Sequence, residues 1–257
     1  MDQNRDQELR ERIVEVGRRM YDKGLIAAMD GNVSIRTPEG ELYVTPSGVC
    51  KGTMQASEVV VTDLAGKLVR GTGRPSSEIE MHVAVYAVRP DVFAVVHAHP
   101  PLATGFAAAG VPLSPALLSE VVLTLGCVPL MAYATPTTIE LALTIREYAR
   151  RYDAILLANH GAVALGRDAL DAFYKMETIE HYAKINLVTK VLGRERPLPD
   201  AAVEKLLEIR AQAGLRPTDA YCGAGAPVAT PSPAASAGET VTLTRAELVE
   251  LIARVLG

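Results

Sequence analysis

Apolar residues recur every three to four positions near the start of the chain, at Leu9, Ile13, Val16 and Met20, which predicts an amphipathic helix. Gly24 follows where a helix stop is expected. The period then shortens. "NVSIR" and "ELYVTP" read as short strands divided by the turn signal "TPEG", and "EVVVTDLAGKLV" reads as a hairpin around "DLAG". "SSEIEMHVAVYAVRP" returns to helical spacing, with Ser77 and Glu80 set as a capping box and Pro90 beyond its end. "VFAVV" is short and wholly apolar, as a buried strand is. "TTIELALTIREYARRY" predicts a helix, "AILLAN" a second buried strand, and "RDALDAFYKMETIEHYAKINLVTKVLG" a long helix. Strands and helices intermix, which predicts one layered α/β domain over residues 5–215.

That pattern breaks after residue 215. "CGAGAPVATPSPAASAGE" is rich in Ala, Pro, Gly and Ser, with almost no charge and no large apolar group except Val228. Such a stretch cannot build a core, and residues 216–240 read as a flexible linker. Residues 241–257 regain helical spacing. Thr244 and Glu247 form a capping box, Leu243 and Leu248 are set as a hydrophobic staple, and Leu248, Leu251, Ile252 and Val255 make one stripe. At about 13 residues this helix is marginal alone. Its stripe needs a surface, either another protein, a second copy, or its own domain.

The 257 residues carry a net charge of −4, with 49% hydrophobic and 22% charged residues. These values are those of a globular domain, and they give no electrostatic case for nucleic acid or an anionic membrane. No run approaches the roughly 18 apolar residues of a membrane span, and "MDQNRDQELRERI" lacks the apolar core of a secretory signal. A cytoplasmic protein is expected. Cys50, Cys127 and Cys222 are odd in number and widely spaced, and read as reduced thiols.

The candidate chemistry lies at strand ends. "AVVHAHPPLA" places His97 and His99 two apart, so that a strand would point both imidazoles to one face. His160, in "ANHGA", ends the second apolar strand in the same way. Three such histidines suit a tripod for zinc, manganese or iron with a further position open to substrate; a solvated or hydrogen-bonded histidine pair is the alternative. His82 and His181 fall inside predicted helices and read as packed or surface residues. A cupin would add a glutamate soon after the pair and a nearly all-strand chain, and a metal-dependent barrel hydrolase needs more chain beyond residue 99. Neither fits.

"DGNVSIR", "LYVTPSG", "RPSSEIEMH", "VVHAHP", "VPLMAY" and "ANHGAVALG" stand in an order and spacing that resemble the class II aldolase/adducin family, and most closely its fuculose-phosphate aldolase branch, over residues 7–215. The resemblance implies a three-layer α/β/α domain with a central, mainly antiparallel sheet, assembled as a homotetramer with active sites between subunits. It implies zinc, or manganese or another divalent metal, on His97, His99, His160 and Glu78, with Glu78 also the acid–base residue. It places the phosphate of a small sugar phosphate on Gly31, Asn32, Ser47, Gly48, Ser76 and Ser77. Hydroxyls and backbone N–H groups at turns and at a helix N-terminus suit such an anion. The implied reaction cleaves a deoxyketose 1-phosphate to dihydroxyacetone phosphate and an aldehyde such as lactaldehyde, through an enediolate that zinc stabilises.

This chain departs from that branch in several places: Ser47 stands where a threonine is usual, Ala213 stands in place of a tyrosine near the C-terminus, and a further tyrosine is missing. The family's aldolases protonate the leaving aldehyde with a tyrosine, and "VPLSPALLSEVVLTLG" contains none. Glu120 is the nearest ionisable group there, equally readable as a helix-surface glutamate, and Tyr221 lies downstream. A dehydratase, decarboxylase or 4-epimerase of a sugar phosphate shares the fold, though the epimerases have Asp where Glu78 stands. A non-catalytic, adducin-like interaction module is the alternative of another class; such members have lost metal ligands. The C-terminal extension resembles the encapsulation peptides of bacterial microcompartment cargo, which implies a shell protein as partner and a place inside such a compartment.

Overall fold

The computed structural model describes residues 3–113 and 116–218, with Thr244, Ala246, Glu247, Glu250 and Arg254 beyond them. Helix α1 (Gln3–Asp22) buries Ile13, Val16 and Met20 along the predicted stripe, and Gly24 ends it at φ +67°. A meander of β1 (Asn32–Arg36), β2 (Glu41–Val44), β3 (Val60–Asp63) and β4 (Leu68–Arg70) follows. Helix α2 (Ile79–Val88) then leads to β5 (Ala94–Ala98). After α3 (Pro101–Ala108), α4 (Ser119–Thr124), β6 (Leu130–Met131) and α5 (Ile139–Ala149), the hairpin β7 (Ala154–Leu157) and β8 (Gly161–Gly166) completes the sheet. Helices α6 (Ala169–Leu192) and α7 (Asp200–Gln212) close the described domain. Asp168 caps α6 and Gly193 ends it in the left-handed region.

The eight strands run in the order β4-β3-β2-β1-β5-β8-β7-β6. Every neighbouring pair is antiparallel except β6 and β7. Side chains alternate across this sheet. Val33, Ile35, Val96 and Ala164 share one core with Ile13 and Met20 of α1 and Phe173 and Met176 of α6. Leu42, Val44, Val95, Val163 and Leu165 share the other with Met81 and Val85 of α2 and Leu141 and Ile145 of α5. The result is the expected three-layer α/β/α sandwich. Alanines 98, 154, 162 and 164 on the first face leave room for the long helix α6 to lie close.

Two expectations fail. Ser77 and Glu80 do not form a capping box: α2 begins after Glu78, whose side chain makes no cap bond. The Ser76 hydroxyl instead accepts the Glu78 N–H at 3.3 Å, and the Glu78 carboxylate turns away toward the histidines. Cys127 is disulfide-bonded rather than a reduced thiol, while Cys50 is free; spacing along the chain does not report which sulfurs meet in a fold. The second capping box does form, with the Glu247 N–H on Thr244 Oγ1 at 3.3 Å and the Thr244 N–H on Glu247 Oε2 at 2.8 Å. Tyr221, most of the predicted linker and the stripe Leu248, Leu251, Ile252 and Val255 lie outside the described residues. No helix among the described residues is long and apolar enough to cross a membrane.

Candidate active site

Strand β5 brings His97 into the centre of the sheet, opposite Asn32 of β1 and Val163 of β8. The His97 Nδ1–H donates to the Ala162 carbonyl at 3.0 Å, which fixes the ring and leaves Nε2 facing outward. His99 stands just past the strand, its backbone N–H on the Leu25 carbonyl at 3.1 Å. His160 occupies the β7–β8 turn, after Asn159 at φ +55°. Strands β5 and β7 are not neighbours; β8, between them, carries both histidine-bearing ends to the same edge.

The three rings stand 4.7 to 5.1 Å apart, centroid to centroid. Each offers a nitrogen, and these atoms lie within 4.8 Å of one another, a spacing able to hold a metal ion. Glu78 faces the same point. Its Oε2 is 3.2 Å from His97 Nε2, and its Oε1 is 3.2 Å from His160 Nε2. The latter approach lacks hydrogen-bond geometry, so Oε1 is buried without a partner. Imidazole nitrogens, a carboxylate and an orphaned carboxylate oxygen at one point fit a borderline divalent cation such as zinc.

Charge is distributed accordingly. Burial opposes ionisation of Glu78, but His97 and His160 outweigh it and hold the carboxyl far below the usual range. Burial lowers His97, yet the Glu78 carboxylate overcomes it and raises the pKa. Burial, then His97 and His160, push His99 down to about 4.

A second group of side chains holds Glu78 in place. Its carboxylate only accepts, so Asn32 presents Nδ2, donating at 2.8 Å. Asn32 Oδ1 then accepts from His82 Nε2 at 2.5 Å. That leaves His82 Nδ1 to accept from the Ser34 hydroxyl at 2.6 Å, and Ser34 Oγ lies 2.8 Å from the Tyr86 hydroxyl. These directions are those of a neutral His82. Burial, and then His97, push its pKa down to about 3.

Beside the histidines lies a cavity of about 160 Å³. Gly31, Asn32, Ser47, Gly48, Ser76 and Ser77 all line it, as do Glu78 and His99. The two turns that form it are tied together, by the Ser47 N–H on the Arg74 carbonyl, the Ser76 N–H on the Thr45 carbonyl, and a bridge between Pro46 and Pro75. Gly31 is in the left-handed region, and a Cβ there would stand 2.9 Å from the His97 carbonyl oxygen. Glu120 is exposed on the first turn of α4 and is not part of this lining. Sequence patterns did not indicate Lys51 or His82. A lysine after a turn reads as solvated and a helical histidine as packing, and only the fold shows what each faces.

Residues 11–187 match the model of the Class II Aldolase and Adducin N-terminal domain. The 5-deoxy-D-ribulose 1-phosphate aldolase of Bacillus thuringiensis serovar kurstaki is 36% identical over 203 residues, 78% of this chain and 94% of its own. An L-fuculose phosphate aldolase of Methanococcus maripaludis is 32% identical, over 68% of this chain and 94% of its own. A 3-oxo-tetronate 4-phosphate decarboxylase of Pectobacterium atrosepticum is also 32% identical, over 70% and 84%. Among solved structures, an L-fuculose 1-phosphate aldolase superposes with a TM-score of 0.74 at 34% identity, covering 79% of this chain and 95% of that one. The chain belongs to the class II aldolase and adducin N-terminal domain family.

Proposed function

We propose that this protein is a metal-dependent aldolase that cleaves a deoxyketose 1-phosphate, of the L-fuculose 1-phosphate type, into dihydroxyacetone phosphate and an aldehyde such as lactaldehyde. The observation that carries this reading is the meeting of His97, His99, His160 and Glu78 at one point beside a cavity lined by hydroxyls and turn backbone. Relatives named as aldolases of deoxyribulose and fuculose phosphates support it.

His97, His99, His160 and Glu78 would hold the cation, with zinc the fitting choice and manganese or another divalent metal an alternative. When bound, it supplies Lewis acidity toward the charge left on the ketone fragment. Gly31, Asn32, Ser47, Gly48, Ser76 and Ser77 hold the substrate phosphate and so fix where its carbon chain can lie. Glu78 then moves the proton at the carbon that gains or loses it. The Asn32 amide bond at 2.8 Å keeps that carboxylate aimed. The acid that serves the leaving aldehyde comes from outside the cavity, and Glu120 and Tyr221 are the candidates. A homotetramer, and docking of residues 241–257 on a microcompartment shell protein inside the cytoplasm, complete the proposal. Both rest on the resemblance and on the amphipathic pattern of the tail.

Elemental analysis with a Glu78→Gln variant tests the reading. The wild type should carry a divalent metal, and the variant should lose about 10²–10⁴-fold in cleavage rate. Full turnover by the variant would sink the proposal, and a wild type unable to bind any divalent metal would favour the interaction module. The decarboxylase among the relatives supports a second reading. Carbon dioxide release from 3-oxo-tetronate 4-phosphate, without dihydroxyacetone phosphate from any ketose phosphate, would establish it instead.

A further inference from the structure

Lys51 follows the turn Pro46–Gly48 and lines the cavity. It is only 3% exposed. Its stem lies against α1 at Gly17, where an added Cβ would stand 3.0 Å from Lys51 Cβ and 3.2 Å from the Lys51 carbonyl oxygen. The glycine leaves a slot that the lysine fills. Nζ donates to the Met29 carbonyl oxygen at 2.5 Å. That is its one hydrogen bond among the described residues, and no carboxylate there stands within ion-pair distance of it. Asp30 and Glu78 act on it only from farther away, and burial lowers its pKa.

A lysine buried this fully is ordinarily paired with an opposite charge, because an ammonium has three donors and a large hydration shell to replace. Here the carbonyl of Met29 satisfies one donor. On the histidine side the cavity that Lys51 lines carries Asp30, Glu78 and His99; the rest of its polar lining is neutral donors, namely the serine hydroxyls 47, 76 and 77, the Asn32 amide and the turn backbone at Gly31 and Gly48. Neutral donors orient an anion but do not cancel its charge. A fixed ammonium beside them offsets part of it.

We propose that Lys51 is the built-in cation of this cavity, and that its ligand is a phosphate monoester, bound by Nζ for charge and by the serines and turns for orientation. The inference rests on the sugar-phosphate reading above and adds to it the residue that makes the cavity select a phosphorylated substrate. Gly17, on a helix remote in sequence, serves the site by making room for the lysine stem.

The test is inorganic phosphate binding by the full-length, metal-loaded protein, measured by calorimetry and by thermal unfolding, for wild type, Lys51→Met and Lys51→Arg. The wild type should bind phosphate and melt higher in its presence. Lys51→Met, of similar shape but uncharged, should keep its metal content and bind phosphate about 10- to 100-fold more weakly. It should also melt no lower than wild type in phosphate-free buffer, since a buried charge without a counter-charge is gone. Lys51→Arg should bind phosphate better than Lys51→Met, which keeps the test open if the methionine variant does not fold. Equal phosphate affinity in wild type and Lys51→Met would overturn the proposal. So would a marked fall in melting temperature of Lys51→Met without phosphate, which would mark the bond to Met29 as purely structural. Acetate protecting as well as phosphate would overturn the choice of ligand. Failure of the aldolase reading looks different: no deoxyketose 1-phosphate is cleaved by the wild type, while the effect of Lys51 on phosphate binding persists.

Discussion

Gly161 follows His160 directly, and a Cβ there would stand 2.4 Å from the Ala98 carbonyl oxygen and 2.7 Å from His99 Cδ2. The glycine in "ANHGA" therefore lets the β7–β8 turn press against the strand that carries His97, so that all three imidazoles meet. Gly161→Ala should cost about 1–3 kcal/mol of stability by overpacking and weaken metal binding together with it. Unchanged unfolding and metal content would show that the turn relaxes freely. His82 offers a different residue-scale test. Its pKa lies near 3 in the fold against 6.5 as an ordinary histidine, so below pH 6.5 the unfolded chain takes up a proton that the folded one refuses. Its contribution is complete above pH 6.5 and is lost as the pH falls toward 3, at about 1.4 kcal/mol per pH unit. His82→Gln should flatten the urea-derived stability profile between pH 6.5 and 4 by about one proton. An unaltered slope would mean that His82 ionises in the fold. Neither role was legible beforehand, because a residue's partners across the sheet, such as Asn32 opposite His97, are not written in its neighbourhood along the chain.

At the scale of elements, the long amphipathic patterns translated well. The stripe of α1, the β1–β2 and β3–β4 turns, and helices α5 and α6 are where period and punctuation placed them, and the structure adds caps at Thr138 and Asp168. Strand β8 was the harder case. "GAVALG" is small and apolar throughout, buried at every position, and alternation cannot mark a strand with both faces covered. The short helices α3 and α4 carry too few turns for a periodic signal. The N-terminus of α2 went the other way: Ser77 and Glu80 had the right spacing for a cap, yet the helix starts after Glu78 and the Ser76 hydroxyl takes the Glu78 N–H. Ion pairing between elements was equally silent. Asp153, just before β7, accepts from Arg89 at 2.7 Å and from Lys175 of α6 at 3.3 Å. Asp153→Asn leaves both cations short of a partner and should cost about 3–5 kcal/mol in urea unfolding. A loss below about 1 kcal/mol would show that Asp91 and Asp171, also paired with these cations, carry the network alone.

For the whole molecule, the sheet order explains why a few short motifs sufficed to locate the site. Strands β1, β5 and β8 lie side by side at the centre, so "DGN", "HAH" and "NHG", spread over more than a hundred residues, arrive at one edge. The turns at Ser47 and Ser76 are then bridged onto the same edge through Pro46 and Pro75. The motifs were thus readable as a set through their resemblance to a family, while the distances, the orphaned Glu78 oxygen and the buried Lys51 required the fold. The central claim is that these groups serve a metal-dependent cleavage of a carbon–carbon bond. Release of dihydroxyacetone phosphate from L-fuculose 1-phosphate and from 5-deoxyribulose 1-phosphate, followed before and after a chelator, tests it most directly. Release from at least one substrate, abolished by the chelator and restored by added zinc or manganese, is the predicted result; release that continues undiminished after the metal is stripped would contradict it.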